Sequence, residues 1–259
     1  MIVFLNIKDK KSNFNNTGDN ACSPYLYFDF PFESKHECLV GYEPKPGESC
    51  IVGGGGVFMP WHIEHCFPKL QNCPIKIVWG AGVNNHGSNS FDAPKFLKNW
   101  DMVAMRDRQD VNFFEHVPCP SCMHPALDNP GPPTEEAVIY EHAHYPINGF
   151  NYPRMNNVGD SMSEKVTFIR KGNVVITNTY HGLYWAYLLG RQAILYKPFS
   201  NRHLFFYRYS PMAYDAEQVK KLVKSTIWDD TEGIALPQAR GKTSDYYRRV
   251  CKYVEWATS

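Results

Sequence analysis

Short apolar runs rich in β-branched residues recur along this chain, and each gives way at once to Gly, Asn, Asp or Arg and then to a stretch able to form a helix. The runs are Met1 to Leu5, Ser49 to Val52, Ile75 to Trp79, Met102 to Met105, Ala137 to Tyr140, Val174 to Thr177 and Ala193 to Tyr196. Runs this short and this apolar suit strands buried on both faces. Strands that alternate with helices form βα units, whose right-handed crossovers lay the strands side by side in a mainly parallel sheet. The fold class expected is α/β.

A chain of 259 residues, 43% of them hydrophobic, can form one large domain or two small ones. Its 27 basic and 26 acidic residues nearly cancel, for a formal charge of +1, so no basic stripe for nucleic-acid phosphates is expected. No apolar run reaches the roughly 18 to 20 residues of a membrane span. The start of the chain carries Lys8, Lys10 and Lys11 after its only apolar stretch and reads as neither anchor nor signal peptide. Eight cysteines are too few for a disulfide scaffold, which points to reduced thiols and a cytoplasmic location. Cys119 and Cys122 have the spacing of a zinc knuckle, but no second tight pair completes four ligands, so no metal is expected.

Six prolines between Pro118 and Pro133 rule out a helix or an inner strand there, and the stretch reads as a linker. A boundary near Gly131 divides the chain into 1–130, with about four strands, and 131–259, with about three strands and a helical tail. In that tail, Ala216 to Trp228 spaces Val219, Leu222, Val223 and Ile227 as one helical face. Ser244 to Trp256 does the same with Tyr247, Val250, Cys251 and Val254.

In parallel α/β sheets, ligands bind beyond the carboxyl ends of the strands, where helix N-termini present unpaired N–H groups. The residues after each strand are therefore the candidates. Gly53 to Gly56 let a backbone come close to a ligand, with something large passing over it, or else form a tight turn, and Gly80-Ala81-Gly82 repeats the pattern. Arg106, before Asp107, stands where a guanidinium can clamp a carboxylate or phosphate. Thr177, Asn178 and Thr179 are capping residues ahead of an apolar helix whose first turn holds His181. Lys197, Arg202 and His203 follow the next strand and can share a rim with His181 as an anion pocket.

The order of these motifs resembles the polysaccharide pyruvyl transferase family. Asn16-Thr17-Gly18-Asp19 stands where that family has Asn-x-Gly-Asp. Gly53 to Gly56, Gly80 to Gly82, Arg106-Asp107 and Thr177 to Gly182 match its later landmarks in order. Two departures stand out. Thr179 replaces the family's usual Arg before x-His-Gly, and only about 35 residues separate Tyr140 from Val174, so the C-terminal half is trimmed.

The resemblance implies two Rossmann-like halves facing across a cleft, as in GT-B glycosyltransferases, with 1–130 on the acceptor side and 131–259 on the donor side. It implies transfer of a pyruvyl group from phosphoenolpyruvate to sugar hydroxyls of a polysaccharide or glycan, with no cofactor. His181 is then the expected acid, with His142, His144 or His203 as alternatives, and Asp19 the base. Asn16, Gly18, Gly54, Gly55, Gly82, Arg106, Thr177, Asn178, Thr179, Lys197, Arg202 and His203 are the expected substrate contacts. Fold does not fix reaction, so a glycosyltransferase using a nucleotide sugar and a non-catalytic glycan-binding relative remain alternatives.

Overall fold

Ile2, Val3, Phe4 and Leu5 are all buried, but alternate residues serve opposite faces, as the two-residue period of a strand requires. The computed structural model describes residues 1–8, 15–84, 92–107, 112–200, 210–225 and 235–259. The first strand, β1 (Ile2–Asn6), lies between β2 (Ser34–Cys38) and β3 (Ser49–Gly53). The sheet continues through β4 (Lys76–Ala81), β5 (Met102–Met105) and β6 (Glu115–His116), with every pairing parallel.

Val3, Leu5, Val52 and Val78 pack with Phe58, Phe67, Leu97 and Trp100, under α2 (Pro60–His65) and α3 (Ala93–Leu97). On the opposite face, Ile2, Phe4, Ile51, Ile77 and Trp79 meet Tyr246, Val250 and Val254. These last three belong to the terminal helix α7 (Leu236–Thr258), and Tyr246 also donates from Oη to the carbonyl of Val78 at 2.8 Å.

The second sheet holds β7 (Glu135–Glu141), β8 (Arg154–Asn156), β9 (Gly172–Thr177), β10 (Gln192–Tyr196) and β11 (Met212–Ala213), in the order β11-β10-β9-β7-β8. All its pairings are parallel as well. Helix α4 (Met162–Ile169) and helix α5 (Tyr180–Leu188) cover one face. Val219 and Val223 of α6 (Ala216–Val223) cover the other. The chain is thus two parallel-sheet α/β halves with a helical tail, consistent with a GT-B-like, Rossmann-like fold. Among the described residues, no helix is long and apolar enough to cross a membrane.

Several expectations need correction. The strand counts of about four and about three become six and five among the described residues, because β2, β6, β8 and β11 are short or polar edge elements. The proline-rich stretch is no loose linker. It forms two 3-10 turns, Pro120–Met123 and Pro125–Leu127, and buries Cys119, Cys122 and Leu127 completely. Arg240 pins it by donating to the Cys122 carbonyl at 2.9 Å and to Asp128 at 2.6 Å.

Helix α7 (Leu236–Thr258) begins eight residues before the expected Ser244, with Pro237 in its first turn where its missing N–H costs nothing. Its buried stripe is Ala239, Thr243, Tyr246, Val250 and Val254, so the expected Val250 and Val254 are buried, while Tyr247 and Cys251 lie at the edge of the face and are only partly covered. Although it follows the second half in the chain, it packs on the first sheet. The helix expected from Ala216 to Trp228 is α6, which ends at Val223 with Lys224 as its C-cap; the expected Ile227 and Trp228 lie outside the described residues.

Candidate active site

Because both sheets are parallel, every strand of each sheet ends on a single edge, and the two carboxyl edges meet through the segment after β1. Asn16 caps α1 (Thr17–Asn20): its Oδ1 accepts from Gly18 N at 3.0 Å, while its Nδ2 donates to Asp19 Oδ2 at 2.7 Å. The same short helix is tied to the second half. Thr17 N donates to Asn157 O at 2.9 Å, Thr17 Oγ1 to Gly159 O at 2.5 Å, and Gly159 N to Asn15 O at 2.8 Å.

Facing it is the first turn of α5. Thr179 caps that helix, accepting from Gly182 N at 2.9 Å, and Thr177 Oγ1 accepts from Thr179 N at 3.1 Å. All nine residues of the helix are buried, because it lies between the second sheet, the 119–127 segment and Ala21 and Cys22 of the first half. Tyr184 Oη donates to Cys119 O at 2.9 Å and Trp185 Nε1 to Ser121 Oγ at 3.1 Å, which sets the helix rigidly. His181 is 7% exposed, its Nε2 lies 3.6 Å from Cys119 Sγ, and its ring sits 5.2 Å from that of Trp185.

Arg106 enters from the end of β5. Only 2% of it is exposed, and its guanidinium lies 3.7 Å over the Tyr180 ring. Nε and Nη1 have no hydrogen-bond partner among the described residues, and the nearest carboxylate oxygen, Asp107 Oδ1, is 3.9 Å from Nε. That separation is an electrostatic contact rather than a hydrogen bond. Burial opposes the charge, but Tyr180 and Asp107 beside it outweigh burial and hold the pKa above its ordinary value. Burial also pushes up the pKa values of the Tyr140 and Tyr180 phenols and the Cys22 thiol, so all three stay protonated.

A small pocket results, lined by Asn16, Asp19 and Arg106 from the first half and by Tyr140, Asn157, Thr179, Tyr180 and His181 from the second. It combines a buried cation, a carboxylate, an imidazole at a helix N-terminus and two phenols. Such a set can hold an anion and move protons beside it.

Five expected residues, Asn16, Asp19, Arg106, Thr179 and His181, line this pocket, and Gly18 abuts the ring of His181. The glycines have another explanation, since protein atoms fill the space beside them. A Cβ on Gly54 would fall 1.9 Å from Cys22 O, one on Gly55 3.2 Å from Cys22 Sγ, and one on Gly82 2.5 Å from Arg106 Nε. The object passing over Gly54 and Gly55 is therefore the chain at Cys22, while Gly53 abuts Pro24, Gly56 abuts Asn84, and Gly82 is the notch that admits the arginine. Thr177 serves the cap. The Asn178 amide is occupied by His142 N at 2.9 Å and Tyr145 O at 2.7 Å.

Lys197 is exposed with φ of +41°, its ammonium 5.3 Å from the Tyr196 ring centroid, and it does not line the pocket. Arg202 and His203 lie outside the described residues. The sequence reading missed Tyr140, Tyr180 and Asn157. Tyr140 sits near the end of an apolar strand and was legible as a carboxyl-edge residue, whereas Tyr180 reads as helix core and Asn157 follows a strand too short to recognise.

A family model described as polysaccharide pyruvyl transferase matches residues 2–198, which contain every residue of this pocket. No curated protein matches the chain. A crystal structure of a functionally uncharacterized protein from Klebsiella pneumoniae matches at 15% identity with a TM-score of 0.48, covering 83% of this chain and 92% of that one. With the family model covering the first sheet, four strands of the second and the whole pocket, the chain belongs to the polysaccharide pyruvyl transferase family and is a transferase.

Proposed function

We propose that the enzyme transfers a pyruvyl group from phosphoenolpyruvate to two hydroxyls of one sugar in a glycan, and that the pocket between the halves binds the donor. The observation that carries this reading is Arg106, a buried guanidinium with Nε and Nη1 unpaired beside Asp19 and His181. A buried charge without hydrogen bonds is costly unless a ligand supplies them, and an anionic donor does so.

The chemistry has two stages. A sugar hydroxyl adds to C2 of the enol while C3 gains a proton and becomes a methyl group, and the hydroxyl proton passes to a base. A second hydroxyl then displaces phosphate from C2, its proton leaving with the phosphate, which closes the ketal and releases inorganic phosphate. In this reading His181 delivers the proton to C3, Asp19 receives the hydroxyl proton and Arg106 neutralises the donor's negative charge. Anion binding rests on Arg106 rather than on the exposed Lys197.

The test is phosphate release from phosphoenolpyruvate with galactose-type or mannose-type acceptors. His181→Ala and His181→Gln should each lose about a hundredfold to ten-thousandfold in rate with an unchanged melting temperature. Arg106→Lys should raise KM for the donor more than it lowers kcat, because an ammonium cannot reproduce the planar fork. Normal turnover by His181→Ala would remove the imidazole from the mechanism, and consumption of a nucleotide sugar in place of phosphoenolpyruvate would replace the reaction with glycosyl transfer.

A further inference from the structure

Tyr140 is fully buried, lines the same pocket as Arg106, and its hydroxyl has no hydrogen-bond partner among the described residues. Buried hydroxyls nearly always have a partner, so an unpaired one in a pocket is free to bind a ligand there. The ring itself is held. A Cβ on Gly182 would fall 2.8 Å from Tyr140 Cδ1, so the start of α5 is cut away to admit it, and the Trp185 ring packs 6.2 Å from it, centroid to centroid.

Asn157 adds to the pattern. Its Oδ1 accepts from Ala143 N at 3.0 Å, which fixes the orientation of the amide and leaves its N–H pair for the pocket that it lines. The first half thus offers unpaired guanidinium N–H groups, and the second half offers a phenol O–H and an amide N–H pair. These three groups can all donate, and beside the Asp19 carboxylate that lines the same pocket they give one accepting group of a ligand its partners. A carboxylate, with two oxygens in one plane, fits that demand at the narrow meeting of two sheet edges.

We propose that Tyr140 and Asn157 complete, with Arg106, a three-donor cradle for the carboxylate of the donor, so that this one group bridges the two halves. The proposal rests on the reading of phosphoenolpyruvate as donor, and its test separates the two. Binding of phosphoenolpyruvate, L-lactate and inorganic phosphate to the full chain is measured by calorimetry and by thermal shift, for the wild type and for Tyr140→Phe and Asn157→Asp. The Phe variant removes only the hydroxyl. The Asp variant keeps the acceptor for Ala143 N but loses the donors and adds a negative charge.

Tyr140→Phe without ligand should melt at or above the wild-type temperature, because it removes an unpaired buried hydroxyl. It should bind phosphoenolpyruvate and lactate roughly tenfold or more weakly, and inorganic phosphate unchanged. Asn157→Asp should lose more affinity than Tyr140→Phe for both carboxylates. The proposal is overturned if ligand-free Tyr140→Phe melts lower, if it binds both carboxylates like the wild type, if only phosphate binding weakens, or if the wild type binds neither carboxylate. Carboxylate binding that depends on Tyr140, in a protein that releases no phosphate with any acceptor, would uphold the cradle and sink the pyruvyl-transfer reading alone.

Discussion

Nδ1 of His181 occupies the place where a side chain on Gly18 would begin: an ideal Cβ there falls 2.1 Å from it. The two residues lie in α1 and α5, helices of different halves, and their contact closes the seam between the halves. Gly18→Ala must therefore push the imidazole aside, since the atom met is a ring held by Trp185 and not the end of a flexible chain. The expected result is a loss of turnover comparable to that of His181→Ala, about a hundredfold or more, with a modest fall in melting temperature. Wild-type turnover by Gly18→Ala would refute the seating of the ring.

Two glycines with nearly the same backbone separate conformational strain from crowding. Gly41 has φ of +77° with nothing within 4 Å of a Cβ, whereas Gly54 has φ of +70° and its Cβ would fall 1.9 Å from Cys22 O. Gly41→Ala should cost about 1 kcal/mol, the ordinary penalty of the left-handed region. Gly54→Ala should cost several times as much, because main chain must move. Urea midpoints of both variants test this, and equal losses would mean that the 19–22 segment yields freely.

Tyr246 anchors the tail to the first sheet through a single hydroxyl, 2.8 Å from Val78 O. Tyr246→Phe should lose about 1 kcal/mol of stability by denaturant unfolding, the usual worth of such a bond. Ending the chain before Leu236 would uncover Ile2, Phe4, Ile77 and Trp79 and should yield insoluble protein. A soluble, active truncation would show that α7 is dispensable.

Glu48 supplies an acid limb to stability. Burial opposes its ionisation, but hydrogen bonds from Lys35 Nζ at 2.8 Å, from Tyr42 Oη and from Lys45 N outweigh burial and take its pKa from 4.5 to about 2. The folded value lies below the unfolded one, so between them the unfolded chain binds more protons and stability rises with pH. The contribution is present above about pH 4.5 and is lost as the pH falls towards 2. Urea titrations across this range should show Glu48→Gln less stable at neutral pH and with a flatter acid slope; an unchanged slope would assign the limb to other carboxylates.

The central strands β1, β3, β4, β5, β7, β9 and β10 were legible in the sequence because each is apolar enough to be buried on both faces, and that alone implies βα units and parallel sheets. The strand ends then singled out Arg106 and His181, whereas Asn16 and Asp19 were found through the resemblance of Asn16-Thr17-Gly18-Asp19 to the family's Asn-x-Gly-Asp. Edge strands such as Ser34–Cys38 were not legible, since an exposed strand carries no continuous apolar signal. Nor was the reason for the glycines. A run without side chains says that something comes close, and only the path of the chain past Cys22 and the entry of Arg106 decide that it is the protein itself. The pairing of Arg106 with Tyr140 and Asn157 is likewise a tertiary result. Tyr140 lies near the end of β7, while Arg106 and Asn157 follow strands of the first and the second sheet, and only the docking of Thr17 on Asn157 and Gly159 brings their donors to one pocket. Local periodicity reports which face of an element is buried, whereas the identity of what lies against that face depends on long-range packing.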